Sequence, residues 1–441
     1  MNLTRKRWHL LVVSCVINLF AGSLYAWSVF GAALADRLTA IGPDTVTSAD
    51  LALAFGLANA VGPITMISGG AVNDRFGPKF VIAAGGLLMG AGLYLCGTAA
   101  TALEIILAYG LGFGLGLGFV YGCAVNNTMK FFPDRRGLSG GLTTAVYGSS
   151  SVILPPAAAW LIAEFGIEAA MKGLGVVFAV AIVAGGLLSM RCPPGFVPEG
   201  WTPPAKSVQR ADRNWRAMIA SEEFPSMIAL LMCGAVAAMM ILAHAYSIAR
   251  NQMGFTAADA SVAVSVMALA NTFGRIFAGT LSDKLGRLAA LTLGIAFSLA
   301  GLAALAFAGP ERPPLFYAGL VSVGMAFGSF MGVFPGFTAE VFGSRNNSVN
   351  FGIMFAGFAV AGVLGPTLMG TLRGAGLGYA VCYGAAAAIA ASGLFLYLAS
   401  LENFCQGRRL IFQRSPRVRI SGQNGGRFGA ARRRVIANPR E

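Results

Sequence analysis

The chain has 441 residues, of which 56% are apolar types and only 11% are charged. A soluble domain carries about a quarter charged residues, so that class is excluded, and disorder of the bulk of the chain is excluded on the same ground. The net charge of +14 comes from 32 Lys and Arg against 18 Asp and Glu, an excess whose placement points to a membrane rather than to nucleic acid.

Stretches free of Asp, Glu, Lys and Arg mark the predicted crossings, because a transmembrane helix needs about 20 apolar residues. They run over 8–35, 51–73, 80–103, 105–129, 137–163 and 173–190, then over 224–249, 288–310, 313–339, 346–372 and 374–401. A twelfth, 260–282, is interrupted by Arg275 alone. In chain order these are spans 1 to 12, with 260–282 as span 8. Strands would be about half this length. Span 1 follows Arg5, Lys6 and Arg7 in the manner of a signal peptide. Its apolar run is too long for one and has no convincing cleavage site, so it reads as an uncleaved first crossing.

After span 2 comes Gly70-Ala71-Val72-Asn73-Asp74-Arg75-Phe76-Gly77-Pro78-Lys79. Its glycines permit a tight turn and close helix approach. Asp74 is suited to the positive end of a neighbouring helix, and Arg75 to pairing at the membrane rim. Span 4 holds Gly112, Gly114, Gly116 and Gly118, followed by Tyr121. No strand precedes these glycines and they lie mid-membrane, so they read as helix-packing surface rather than a nucleotide loop. Tyr121 is open to two readings, cavity wall or packed core. The segment 191–225, which holds Pro193, Pro194, Pro198, Pro203 and Pro204 with mixed charge, separates six spans from six.

On span 7, His244 is a titratable group within a crossing and a candidate proton carrier; an interfacial histidine is the alternative. Span 8 carries Asn271 and Arg275 one helical turn apart. A guanidinium at membrane depth costs from about 2.5 to more than 10 kcal/mol, and no acid lies inside the spans except Glu340 at the end of span 10. Arg275 is therefore expected to bind a small anion, its planar fork matching a carboxylate; a side chain snorkelling to the inner surface is the alternative. Asn271 either supplies a second donor or holds the guanidinium, with helix–helix glue as the alternative. Beyond span 8, Gly279-Thr280-Leu281-Ser282-Asp283-Lys284-Leu285-Gly286-Arg287 repeats the earlier turn, with Asp283 lying 209 residues after Asp74. Such a repeat implies two six-helix bundles with the substrate path between them. The position in the first half equivalent to Arg275 is Met66, so the cation is not a requirement of the fold.

Basic residues fix the orientation. With the N terminus inside, 26 Lys and Arg fall in inside segments and five outside, which puts both termini in the cytoplasm. The residues from 401 to 441 form a basic, Gly-containing tail without apolar period, expected to be disordered and able to touch anionic headgroups. Cys15, Cys96, Cys123, Cys233 and Cys382 lie in apolar runs, and no Cys or His spacing suits a metal. No cofactor and no catalytic constellation is expected.

The paired G-x-x-x-D-[RK]-x-G turns resemble the signature of the major facilitator superfamily. Tyr25-Ala26-Trp27-Ser28-Val29-Phe30 resembles a hallmark of its oxalate/formate antiporter family, which is similar to bacterial monocarboxylate transporters. Lys130-Phe131-Phe132-Pro133-Asp134-Arg135-Arg136-Gly137-Leu138, Asn271-x-x-x-Arg275 and Asn350-Phe351-Gly352 fit the same family. The resemblance implies an all-α polytopic membrane protein of the major facilitator fold, with 12 transmembrane helices as two six-helix bundles over 1–190 and 226–400. It implies that Arg275, Asn271 and His244 line the carboxylate site, with Tyr121, Phe355 and Phe327 as aromatic wall. It makes Asp74, Arg75, Gly77, Asp283, Lys284, Gly286 and Arg287 a conformational gate. Oxalate exchangers carry a second cation in span 11, yet residues 346–372 hold neither Lys nor Arg. One fixed charge balances a monoanion and leaves a dianion undercompensated. The expected function is proton-coupled transport of lactate- or pyruvate-like monocarboxylates across the plasma membrane, with lipids as the other partner. Oxalate/formate-type exchange and a non-transporting anion sensor are the alternatives.

Overall fold

The computed structural model describes residues 3–43, 45–48, 50–202 and 212–414, with side chains described as far as residue 400 apart from Tyr25. Met1–Ser400 form one compact unit, and every regular element among the described residues is helical. Eleven helices are long and apolar enough to cross a membrane. They make twelve crossings, because Arg136–Leu188 is two helices that meet at Gly166, where φ is 76° and ψ 160°. A straight helix of 53 residues would extend roughly 80 Å, far beyond a hydrocarbon layer of about 30 Å. Glycine is the residue that tolerates this backbone conformation.

The crossings are otherwise close to the charge-free runs. Span 2 is Ala52–Phe76, span 3 Pro78–Thr98, span 8 Ala257–Leu285, span 9 Arg287–Phe307, span 10 Pro313–Phe342 and span 11 Asn347–Gly374. Span 12 is Tyr379–Ser400. Three crossings are irregular. Span 1 is Leu3–Ala21 and Trp27–Ile41 joined by a 3-10 turn at Gly22–Ala26. Span 4 contains a π-helical stretch, Ile106–Phe113, ahead of Gly114–Lys130. Span 7, Glu223–Leu242, breaks at Ala243–His244 and resumes as Ala245–Met253. The segment between the halves includes a short helix, Trp215–Ile219. The tail expected from residue 401 is helical as far as Arg414, and residues 415–441 lie outside the described residues.

Small residues set the helix spacing. A Cβ added at Gly116 would come within 2.5 Å of the Gly85 carbonyl oxygen, and one at Gly114 within 2.5 Å of Ala58 Cα. The glycines of span 4 therefore press its backbone against spans 2 and 3, as helix-packing surface does. The outer surface carries large exposed apolar side chains such as Phe80, Phe307 and Phe395, which suit contact with lipid rather than water. Span 5 packs on span 8, and span 2 on span 11, so the first and second halves meet along two helix pairs.

Candidate functional site

The two Gly-Asp turns lie on one end of the molecule, here termed the turn-motif face. Gly77 and Gly286 have φ of 94° and 91° and close the turn after spans 2 and 8. Each turn then delivers its acid to the other half. The Asp74 carboxylate accepts hydrogen bonds from the Ser348 backbone N–H at 3.1 Å and the Val349 N–H at 3.4 Å, at the start of span 11. The Asp283 carboxylate accepts from the Gly137 N–H at 2.7 Å and the Leu138 N–H at 2.8 Å, at the start of span 5. A helix N terminus presents unsatisfied N–H groups and partial positive charge, so both acids are well placed. The acids are 209 residues apart and the helix starts they reach, Gly137 and Ser348, are 211 apart. The repeat in sequence is thus a repeat in contact.

The supporting cations differ between the halves. Lys130 Nζ lies 2.6 Å from Asp74. Arg287 pairs with Asp283 at 2.9 Å and with Glu340 at 3.1 Å, and donates to the Ser282 hydroxyl. Arg75 and Lys284 do not join this network: both are exposed, and among the described residues neither forms an ion pair. Arg75 instead lies over the Phe76 ring at 5.1 Å. Further cross-half contacts were not legible from residue types. The Asn347 amide donates to Asn126 Oδ1 at 2.6 Å, and the Asn73 amide to the Ser348 hydroxyl at 2.9 Å. The turn-motif face is therefore sealed in this conformation.

Arg275 lies about ten residues, roughly 15 Å of helix, from the turn-motif end of span 8. It is 2% exposed, and among the described residues no carboxylate pairs with it. Its Nη1 donates to the Thr144 carbonyl on span 5 at 2.7 Å, and its Nε donates to Asn271 Oδ1 at 3.3 Å. Its Nη2 and the Asn271 amide nitrogen have no protein acceptor among the described residues. The chemical content is a desolvated cation with unspent donor capacity.

An aromatic layer adjoins this centre and crosses between the halves. Tyr121 of span 4 packs on Tyr147 of span 5 at 4.8 Å and on Phe355 of span 11 at 5.6 Å. Phe355 stacks on Phe358 at 4.6 Å, and Phe358 on Phe327 of span 10 at 6.0 Å. Tyr147 directly precedes Gly148, which lies against the Arg275 guanidinium. His244 is not part of this cluster. It sits at the break in span 7, half-buried, with Nδ1 3.2 Å from the Met240 carbonyl oxygen, and no contact joins it to Arg275. A shallow cleft of roughly 320 Å³ between spans 1 and 2 is lined by Trp27, Ser28, Gly31, Ser48, Ala52 and Phe55. It contains no charged group and none of the candidate residues, so the buried guanidinium remains the chemically distinctive centre.

The family model of the Major Facilitator Superfamily matches residues 16–366 and 228–420. The MFS-type transporter YhjX of Escherichia coli (strain K12) is 29% identical, covering 82% of this chain and 87% of its own. The oxalate:formate antiporter of Oxalobacter formigenes is 25% identical, covering 82% and 84%. Monocarboxylate transporter 11 of Homo sapiens is 26% identical, covering 79% and 73%. Among solved structures, the proton:xylose symporter XylE aligns with a TM-score of 0.66 at 13% identity, covering 90% and 96%. The transporter FucP aligns at 0.63 and 15%, covering 88% and 97%; at these identities the likeness speaks for the fold alone.

Proposed function

Since the chain belongs to the Major Facilitator Superfamily and is thus a membrane transporter of that fold, we propose that its cargo is a small organic monocarboxylate of the lactate or pyruvate kind, moved together with a proton. The observation that carries this reading is Arg275: buried, unpaired with any acid among the described residues, and retaining a free donor edge beside the Asn271 amide. A carboxylate is the ligand class that such a fork recognises. The names of two relatives, an oxalate:formate antiporter and a monocarboxylate transporter, agree in chemical class.

In this reading the halves, 1–190 and 226–400, rock about the site to give alternating access. Tyr121, Phe355 and Phe327 form its aromatic floor. Asp74 and Asp283 with Gly77, Gly286 and Arg287 hold the cytoplasmic face shut, and Arg75 and Lys284 serve the opposite state, in which their turns are released. The carboxylate with one proton neutralises the cation, and the neutral complex is the species that rearranges. His244 carries the proton from the outer half. Its ring nitrogen lies against the Met240 carbonyl and makes no contact with Arg275, so in this reading the transfer is not a direct one. The protein resides in the plasma membrane with both termini in the cytoplasm.

The test is uptake of labelled lactate or pyruvate into proteoliposomes under an imposed pH gradient. Arg275→Ala is expected to abolish saturable uptake, and normal uptake by that variant refutes the role. A second reading, exchange of anions such as oxalate for formate, is favoured by the Oxalobacter relative. Counterflow of unlabelled against labelled anion, independent of pH, would establish it instead.

A further inference from the structure

We infer that Gly148 on span 5 is a positioning residue for the anion site, and that the first half of the chain supplies the seat from which Arg275 of the second half is presented. The inference rests on the proposed role of Arg275. The guanidinium has three nitrogens and two are already committed. Nε is taken by Asn271 of its own helix, and Nη1 by the Thr144 carbonyl of span 5, at 2.7 Å. The Thr144 carbonyl has two lone pairs, so it accepts from the guanidinium in addition to its place in the helix ladder. These two bonds fix the plane of the head and leave Nη2 and the Asn271 amide nitrogen as the donors without a protein acceptor among the described residues.

Gly148 lies one turn beyond Thr144 and makes this seat possible. A Cβ at 148 would lie 3.3 Å from Arg275 Cζ, 3.3 Å from its Nε and 3.3 Å from the Thr272 hydroxyl. That is closer than ordinary contact, and of the two side chains met the arginine head is the flexible one, since Thr272 is β-branched and bonded to the Ala268 carbonyl. The head is displaced while the helices stay where they are. Gly141, two turns earlier on span 5, is different in kind. There an added Cβ meets the Arg275 backbone oxygen at 2.5 Å, so the helices themselves must part. Gly141 belongs to packing and Gly148 to the placement of a charge. Sites of this type need their donors held within about 0.5 Å of the productive position, and a few tenths of an ångström at 148 uses most of that tolerance.

The consequence is that the anion site is assembled from both halves, and the residue at 148 sets affinity without touching the anion. The experiment is Gly148→Ala in the full chain, reconstituted in proteoliposomes, with labelled lactate and pyruvate as probes. The expected result is a rise of about tenfold in the half-saturating concentration, with the maximal rate within about twofold of the parent. Gly141→Ala, run alongside, is expected to lower the yield of folded protein or the maximal rate. An unchanged half-saturating concentration for Gly148→Ala, a loss confined to the maximal rate, or failure of that variant to assemble overturns the inference. Full uptake by Arg275→Ala refutes the function itself; an inactive Arg275→Ala beside an unaffected Gly148→Ala refutes only the role of span 5.

Discussion

Arg275 keeps a full charge 2% exposed on the support of one carbonyl and one amide, less than such a burial usually requires. A lysine there would keep the charge and lose the fork. Arg275→Lys is accordingly expected to raise the half-saturating concentration for lactate at least tenfold, about 1.4 kcal/mol, in the same uptake assay. Arg7 shows the contrasting case of a buried cation that has a resident acid, although its Nε is left without an acceptor. It forms a two-pronged pair with Asp134 at 2.6 and 3.0 Å and stacks over Phe132 at 4.7 Å. Removing one partner strands a buried charge, at a cost of about 3–5 kcal/mol. Arg7→Met is therefore expected to lower the melting temperature of the purified protein more than Arg7→Met combined with Asp134→Leu. Equal or greater loss in the double variant would show that the stranded Asp134 carboxylate carries no such penalty.

At the scale of elements, the departures from regular helix fall in spans 1, 4 and 7, and between spans 5 and 6. The break at Gly166 has a backbone conformation reserved largely for glycine, with open space around it. Gly166→Ala thus isolates backbone strain: a loss of about 1–3 kcal/mol, read as a lower melting temperature with unchanged transport. The 3-10 turn of span 1 has its own support, because the Ser150 hydroxyl donates to the Leu19 carbonyl at 2.7 Å. That bond ties the last turn of the helix before the 3-10 turn to span 5, two residues beyond Gly148.

For the whole molecule, the two acid-to-helix contacts are similar in kind, and in the proposed gating each acts as a lock on this face. Each holds its carboxylate with two backbone N–H groups of the other half. Asp74→Asn and Asp283→Asn each remove a charge from a helix N terminus, an effect of about 0.3–2 kcal/mol plus the lost ion pair. Each is expected to shift the population toward a state open at this face. Spin labels at positions 135 and 345, both exposed on that face, would report it as a longer-distance component by pulsed electron resonance. A distribution unchanged by either substitution would deny the locks a share in the equilibrium.

How much of this was readable in advance divides by range. Crossing helices leave a local trace, because lipid excludes charge over about 20 consecutive residues, and all twelve were therefore legible, as were the repeated turns and the lone cation of span 8. The glycine that separates spans 5 and 6 was not singled out, since a positive φ depends on where the chain must go next. Arg75 and Lys284 matched the motif as well as Asp74 and Asp283 did, yet their side chains face out; spacing along a chain does not say which way a rim residue turns. The composition and order of residues determined by themselves a twelve-helix membrane protein with a repeated turn and an unbalanced positive charge in its second half, and the resemblance of its motifs added the transporter family. The tertiary structure alone decided that this charge is seated on the first half, that each acid crosses to the opposite bundle, and that His244 stands apart, because each of these is a contact between residues more than a hundred positions distant or separated by depth in the membrane.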